Sequence, residues 1–177
     1  MILLEDTRQQ DAKHKIKHEY FARNGVECRR TKLYVGDYTL PTNQSICIDT
    51  KEHILEICAN ICGKEHARFM REVERAEESN IKLFVLVENT DGVKEIRDLF
   101  QWQNPRAHRY NKIAYMHKIG KWQNIPLPKA PPTKGETLAK ALLTIEAKHP
   151  CVKFMFCRPE EAGYYILDIL TKGTHNV

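Results

Sequence analysis

The sequence has no apolar run approaching the ~20 residues that cross a bilayer as a helix, so no membrane-spanning role is expected. Its start, Met1-Ile2-Leu3-Leu4-Glu5-Asp6, carries neither a basic stretch nor a small-residue cleavage site, and a secretory signal is not expected. It has no CxxC pair. Six cysteines, Cys28, Cys47, Cys58, Cys62, Cys151 and Cys157, stand apart. Without an export signal they read as reduced thiols of a cytoplasmic protein, nucleoid-associated if bacterial or phage. Cys58, Cys62 and His66 recur every four residues, but Gly63 interrupts that helix and Cys58 continues an apolar face, so a zinc site is not expected there. Internal repeats and low-complexity tails are absent. At 177 residues with 42% hydrophobic content, the chain has the size and composition of one globular domain.

One further absence is local. Residues 101–133 contain no Asp or Glu, yet hold Arg106, Arg109, Lys112, Lys118, Lys121 and Lys129. The whole chain has 28 basic and 23 acidic residues, so the remainder carries 22 against 23. The positive excess therefore sits in one segment, the electrostatic footprint of a polyanionic partner.

Alternating strand and helix patterns run along the rest. Ile2–Asp6 reads as a buried strand and Asp11 to Asn24 as a helix with Ile16, Tyr20 and Phe21 toward the core, stopped at Asn24-Gly25. Val26 to Val35 reads as a strand, after which Gly36 permits a sharp bend. Tyr38 to Lys51 reads as a hairpin around Pro41-Thr42-Asn43-Gln44. Two helices follow, from about Glu52 to Gly63 and from Lys64 to Ser79. The apolar run Lys82–Glu88 is a central strand. A short helix over Val93–Phe100 precedes residues 101–133, which show no clear period. Thr133 with Glu136 looks like a capping box opening a helix to about Lys148. Val152–Phe156 is a strand, and Pro159 opens the last helix, with Ala162, Tyr165, Ile166, Ile169 and Leu170 on one face. The expected fold is α/β layering about one mixed sheet.

The chemistry concentrates in the hairpin. With Asn43 at the centre of its turn, Tyr38 faces Ile48 and Leu40 faces Ile46 on an apolar side. The same register sets Asp37 opposite Asp49, with Lys51 two residues further, on the other side. Facing carboxylates repel across a sheet; a divalent cation between them would turn the repulsion into a binding site. Two hard oxygen ligands leave room for water and a phosphate, and a nearby lysine can orient the water or stabilise charge on the phosphorus centre. The competing account is a turn aspartate after glycine and an exposed strand pair.

These residues resemble the XPF-type nuclease domain of the PD-(D/E)xK restriction-endonuclease-like superfamily. Ile2 to Gln9 is similar to the family's first strand ending in Asp-x-Arg. Val35-Gly36-Asp37-Tyr38 matches its Gly-Asp-Tyr, and Asp49-Thr50-Lys51 aligns with its Glu-Arg-Lys. Gly63 to Ala76, with Arg68-Phe69 and Arg75, resembles the helix after the catalytic strand. Leu83–Glu88 and Lys153–Leu170 fit the later strands and last helix. The resemblance implies a three-layer α/β/α core with a central mixed sheet, and cleavage of branched, flapped or junction DNA in repair or recombination with Mg²⁺ or Mn²⁺. Asp37, Asp49 and the backbone carbonyl of Thr50 would bind metal, Lys51 would assist the water, and Asp6 would be a further acid at the metal. Asp replaces the family's Glu at 49, and Thr replaces its Arg at 50. A tandem helix-hairpin-helix module is not expected within this chain, which reads as one nuclease domain over 1–177 with a basic, aromatic insertion at about 101–133. A homodimer through the nuclease domain is also implied.

Candidate DNA contacts are Arg8 beside Asp6, and Arg68 and Arg75 on one helix face with Arg71. The competing account of that face is a solvated stripe paired with Glu72. In 101–133, Arg106, Arg109, Lys112, Lys118, Lys121 and Trp122 are candidates, with Trp102, Tyr110 and Tyr115 interleaved; cations neutralise phosphates and aromatic faces stack unpaired bases. The bland reading is a packed loop. His14, His18, His53 and His66 fall at no telling spacing and read as surface or helix-end residues. Three functions compete: a metal-dependent endodeoxyribonuclease, a non-catalytic DNA-binding module of the same fold, and an RNA-processing nuclease.

Overall fold

The computed structural model describes residues 1–8 and 14–172. The expected helix start at Asp11 lies outside the described residues. Six strands form one mixed sheet: β1 (Ile2–Asp6), β2 (Glu27–Thr31), β3 (Tyr38–Leu40), β4 (Asn43–Lys51), β5 (Lys82–Glu88) and β6 (Val152–Cys157). Their spatial order is β2-β1-β3-β4-β5-β6. β1 runs parallel to β2 and antiparallel to β3, β3 is antiparallel to β4, and β4, β5 and β6 are mutually parallel. The helices are α1 (Lys15–Arg23), α2 (Ile54–Cys62), α3 (His66–Glu78), α4 (Arg106–Lys118), α5 (Gly135–Lys148) and α6 (Ala162–Lys172).

The alternation along β5 shows why two helical layers form. Leu83, Val85 and Val87 pack with α2, α3 and α5 through Ile57, Phe69, Val73, Leu138 and Leu142. Phe84 and Leu86 point the other way, to α1 and α6, where Phe21, Ala162, Ile166 and Leu170 meet them. Full burial of a side chain such as Val85 contributes about 1.5–3 kcal/mol. This is the expected α/β/α sandwich around a mixed sheet.

The structure corrects several expectations. Ile16 is 54% exposed, and the inward place on α1 goes to Lys17, whose ammonium pairs with Glu88. β2 stops at Thr31; Leu33 and Val35 are buried beyond it without belonging to a strand. The pairing of β3 with β4 keeps Tyr38 opposite Ile48 but sets Leu40 against Asn43, because a bulge shifts the register between them. Asn43 is thus the first residue of β4 and not the centre of the turn. Residues 96–100 form a 3₁₀ helix. Within 101–133, where no helix was expected, α4 forms; Ile113 is its only fully buried residue, so it leaves almost no apolar period. The Thr133–Glu136 capping box is absent: α5 begins at Gly135 and Lys134 caps it with no side-chain hydrogen bond. Among the described residues no helix is long and apolar enough to cross a membrane.

Candidate active site

Gly36 adopts φ +69°, and a Cβ there would lie 2.9 Å from the Ile48 carbonyl oxygen. Only glycine accepts both the left-handed backbone and that approach. The bend sets Asp37 beside β4, where its backbone N–H donates to Ile48 O at 2.7 Å, while Asp6 N–H donates to Asp37 O at 2.8 Å. β1 and β4 are both tied to this one residue.

Tyr38, Leu40, Ile46 and Ile48 then enter the α1–α6 side of the core. Asp37, Asp49 and Lys51 open on the other side into a cleft of about 370 Å³. The structure therefore brings the two acids and the lysine together, as the alternation of the hairpin requires. Asp37 Oδ2 accepts two hydrogen bonds from Thr50, one from its N–H and one from its hydroxyl, each 2.7 Å. Thr50 thus holds Asp37, a task the sequence did not reveal. Lys51 Nζ lies 2.5 Å from Asp49 Oδ2 as a buried ion pair, and no other group donates to that oxygen.

Burial of the acids has an electrostatic consequence. Desolvation pushes the Asp49 carboxyl up to about 6, against the pull of Lys51 and with a push from Asp37. Desolvation also raises Asp37, opposed by Lys51 and the Thr50 hydrogen bonds. For Lys51 burial works against the charge, but Asp49 and Asp37 outweigh it and hold the ammonium above its usual value. The two acids thus hold the Lys51 ammonium in its charged form.

Three further acids, Glu52, Glu56 and Glu72, line the same cleft and were not read as site residues from the sequence. Glu72 of α3 accepts the Gly36 N–H at 2.9 Å and is raised by burial and by Asp49. It braces the bend and does not pair in a solvated stripe. Glu56 of α2 lines the opposite wall and accepts the Glu52 N–H at 2.9 Å. The signal for Glu72 was present: it is four residues after Arg68 and three before Arg75, hence on their face.

His14 was also missed. It is 3% exposed, lines the cleft, and its Nδ1 lies 2.7 Å from the Tyr38 hydroxyl. That hydroxyl donates its single proton to Glu5 Oε1 at 2.9 Å, so His14 Nδ1–H must be the donor to Tyr38. His18 Nε2 reaches the same Glu5 oxygen at 2.8 Å. Burial, with help from Lys17, depresses His14 to about 4, Glu5 opposing.

Other candidates divide. Arg8, Arg68 and Arg75 line the cleft. Asp6 does not: its carboxylate is clasped by the Arg8 backbone N–H at 2.8 Å and by the guanidinium, and those bonds override burial and lower its pKa. It orients Arg8, which also donates to Leu33 O at 3.2 Å. Arg75 Nε donates to Tyr34 O at 3.2 Å and its guanidinium stands 5.8 Å over the Tyr34 ring. Arg106 and Arg109 line a separate hollow. Lys112 covers the Trp122 ring at 5.4 Å, so Trp122 already has a partner within the chain. Lys118 and Lys121 are exposed. Cys58 is buried and Cys62 exposed, and among the described residues no group of three or more His, Cys, Asp or Glu side chains is placed to hold a metal ion.

The ERCC4 domain family model matches residues 6–169. Among solved structures, XPF from Aeropyrum pernix superposes with a TM-score of 0.61 at 15% identity, covering 99% of this chain and 66% of that one. The same protein in complex with DNA gives 0.58 at 15% identity, covering 98% and 64%. The chain therefore spans just under two thirds of the structures it resembles, and at this identity the likeness is one of fold. No curated protein matches the chain in sequence.

Proposed function

Because the chain belongs to the ERCC4 domain family, we propose that it is a metal-dependent DNA endonuclease hydrolysing phosphodiester bonds through Asp37, Asp49 and Lys51. The observation that carries the reading is the buried pair Asp37 and Asp49 in one cleft, where Asp49 Oδ2 meets only the Lys51 ammonium. Two buried carboxylates that share one ammonium leave an excess of negative charge in the cleft, which is costly. A hard divalent cation would balance it and relieve the repulsion between the two acids. Two carboxylates, with the Thr50 carbonyl beside them, suit an open site for Mg²⁺ or Mn²⁺ better than a closed structural cage.

A bound cation would polarise the phosphate and lower the pKa of a bound water. The chain's own residues do the rest. Thr50 holds Asp37 in place, Lys51 donates to the attacking water or the crowded phosphate oxygens, and Arg8, Arg68 and Arg75 hold flanking phosphates. Substrate DNA with flaps, forks or junctions is part of the same proposal, supported by the family and by a neighbour solved on DNA. So is a homodimer, which a monomeric mass in sedimentation would remove.

The test uses plasmid, flap, fork and single-stranded DNA and an RNA of matched sequence, each with Mg²⁺, Mn²⁺ or EDTA. DNA cleavage is expected with either metal, lost in EDTA, and reduced at least ~10²-fold in Asp37→Asn and Lys51→Ala. Mg²⁺ or Mn²⁺ is also expected to raise the melting temperature of the wild type and not of Asp49→Asn. Cleavage that survives EDTA or both substitutions would end the metal-nuclease reading. DNA binding without cleavage under any condition would leave a non-catalytic module, and cleavage confined to RNA would make it an RNA-processing nuclease.

A further inference from the structure

A hollow larger than the catalytic cleft, about 650 Å³, lies between α2, α4 and the proline-rich chain 125–133. Its walls are apolar: Leu55 and Ala59 from α2, Ile113 from α4, and Ile125 with several prolines from the chain beyond. Tyr110 stands half-buried in it. Its rim carries Lys64, Arg106 and Arg109, all exposed, and no carboxylate lines it. Among the described residues none of these three cations is in an ion pair with a carboxylate.

α2 is the wall shared with the active cleft. Leu55, Cys58 and Ala59 face the hollow while Glu56 faces the cleft. On the cleft side stand Arg75 and Arg68; on the hollow side stand Lys64, Arg106 and Arg109. Lys64, in the turn before α3, is four residues from Arg68. A polyanionic strand leaving the cleft over the α2–α3 corner passes Arg68, which Glu65 pairs with at 3.5 Å, then Lys64, and meets no acid within the hollow.

We propose that this hollow is a nucleotide-binding pocket taking an unpaired nucleotide of the strand whose neighbouring phosphate lies in the active cleft. Free phosphate would use the cations but not the apolar walls, and a base kept in a duplex stack cannot enter a concave site. An unstacked nucleotide uses both: its flat face lies against Tyr110 and the Ile113–proline wall, and its phosphates meet Arg106 and Arg109. The volume is in the range of ordinary ligand pockets, roughly 300–1,000 Å³. The stacking partner is Tyr110 and not Trp122, whose ring Lys112 already occupies. The inference rests on the nuclease reading for its substrate class and deepens it: the enzyme is fitted for DNA with a single-stranded portion beside the cut.

The test measures anisotropy of a fluorescein-labelled oligothymidylate and of a duplex of equal length on the full chain in EDTA. Tyr110→Ala removes the stacking face, and Ala59→Phe fills the hollow without changing charge. Each is expected to weaken single-strand binding at least fivefold, with a smaller loss for the duplex. Arg106→Ala with Arg109→Ala is expected to lower the salt dependence of single-strand binding. Thermal melts accompany each variant, and exposed Lys64→Ala supplies a change that does not touch the packing. Unchanged single-strand affinity in Ala59→Phe, equal losses for strand and duplex, or competition by polyphosphate as strong as by oligothymidylate would overturn the pocket. Wild-type protein that cuts DNA while Ala59→Phe binds the strand normally would sink the pocket and spare the nuclease. Protein that cuts nothing while Ala59→Phe and Tyr110→Ala lose strand binding would sink the nuclease and spare the pocket.

Discussion

Glu72 and His14 line the cleft without belonging to the catalytic set, and each acts through a neighbour. Glu72 supplies the acceptor for the Gly36 N–H. Glu72→Ala leaves that N–H without its acceptor, which costs about 1–3 kcal/mol, and frees the bend that aims Asp37. Turnover is expected to fall more than substrate binding, and Glu72→Gln, which keeps an acceptor oxygen, is expected to recover most of it. Equal kinetics in Ala and Gln variants would deny Glu72 this bracing role. His14 predicts a pH effect. Its folded pKa of about 4 lies below the ordinary histidine value of 6.5, so between those values the unfolded chain binds the extra proton. Stability from this group is full above about 6.5 and is lost as pH falls toward 4, at no more than about 1.4 kcal/mol per pH unit. Lys17 and His18 add to the repulsion of a protonated ring, while Glu5 and Glu52 oppose it. Asp49, raised to about 6, has the opposite sign, since its ionisation destabilises the fold as pH rises to that value. Melting curves from pH 4.5 to 7.5 are therefore to be compared between wild type and His14→Gln; the variant should lose less stability on acidification, and parallel curves would refute the assignment.

At the scale of elements, the hairpin of β3 and β4 decides whether a site exists. Gly36→Ala forces a left-handed backbone that costs about 1–2 kcal/mol and drives its Cβ to 2.9 Å from Ile48 O. The expected result is a melting point lower by at least ~2 °C together with reduced cleavage; an unaltered melt and rate would show that the bend tolerates a side chain. The hairpin was legible because strict alternation separates Tyr38 and Ile48 from Asp37 and Asp49, and that alternation survives the bulge. The pairing of Leu40 was not, because a bulge is a backbone event with no side-chain periodicity. β5 was legible as a continuous apolar run. α4 was not, since Ile113 is its only fully buried residue and an exposed helix writes no apolar stripe. Ile16 was misplaced for a related reason: Lys17 takes the inward position because Glu88, 71 residues away, meets its ammonium. The hold of Arg8 on both Asp6 oxygens is likewise a contact that the motif alone does not reveal.

For the whole molecule, the basic excess divides between a pocket rim and an outer surface. Lys118 and Lys121 are exposed and away from both the cleft and the hollow. If they meet backbone phosphate, neutralising both should lower the slope of log affinity against log salt by about 0.7–0.9 for each lost contact, alike for strand and duplex. An unchanged slope would assign them to solvation alone. The arrangement also separates two kinds of heritable change. Asp37, Thr50 and Lys51 belong to one hairpin early in the chain, whereas α4 and the proline-rich segment interrupt the crossover between β5 and β6. Lengthening, shortening or exchanging that interruption alters what the protein grips and leaves the strands that carry the acids in register. A lineage built on this plan can drift in target choice while its cutting chemistry stands still, and grafted lobes from related chains offer a direct way to redirect it.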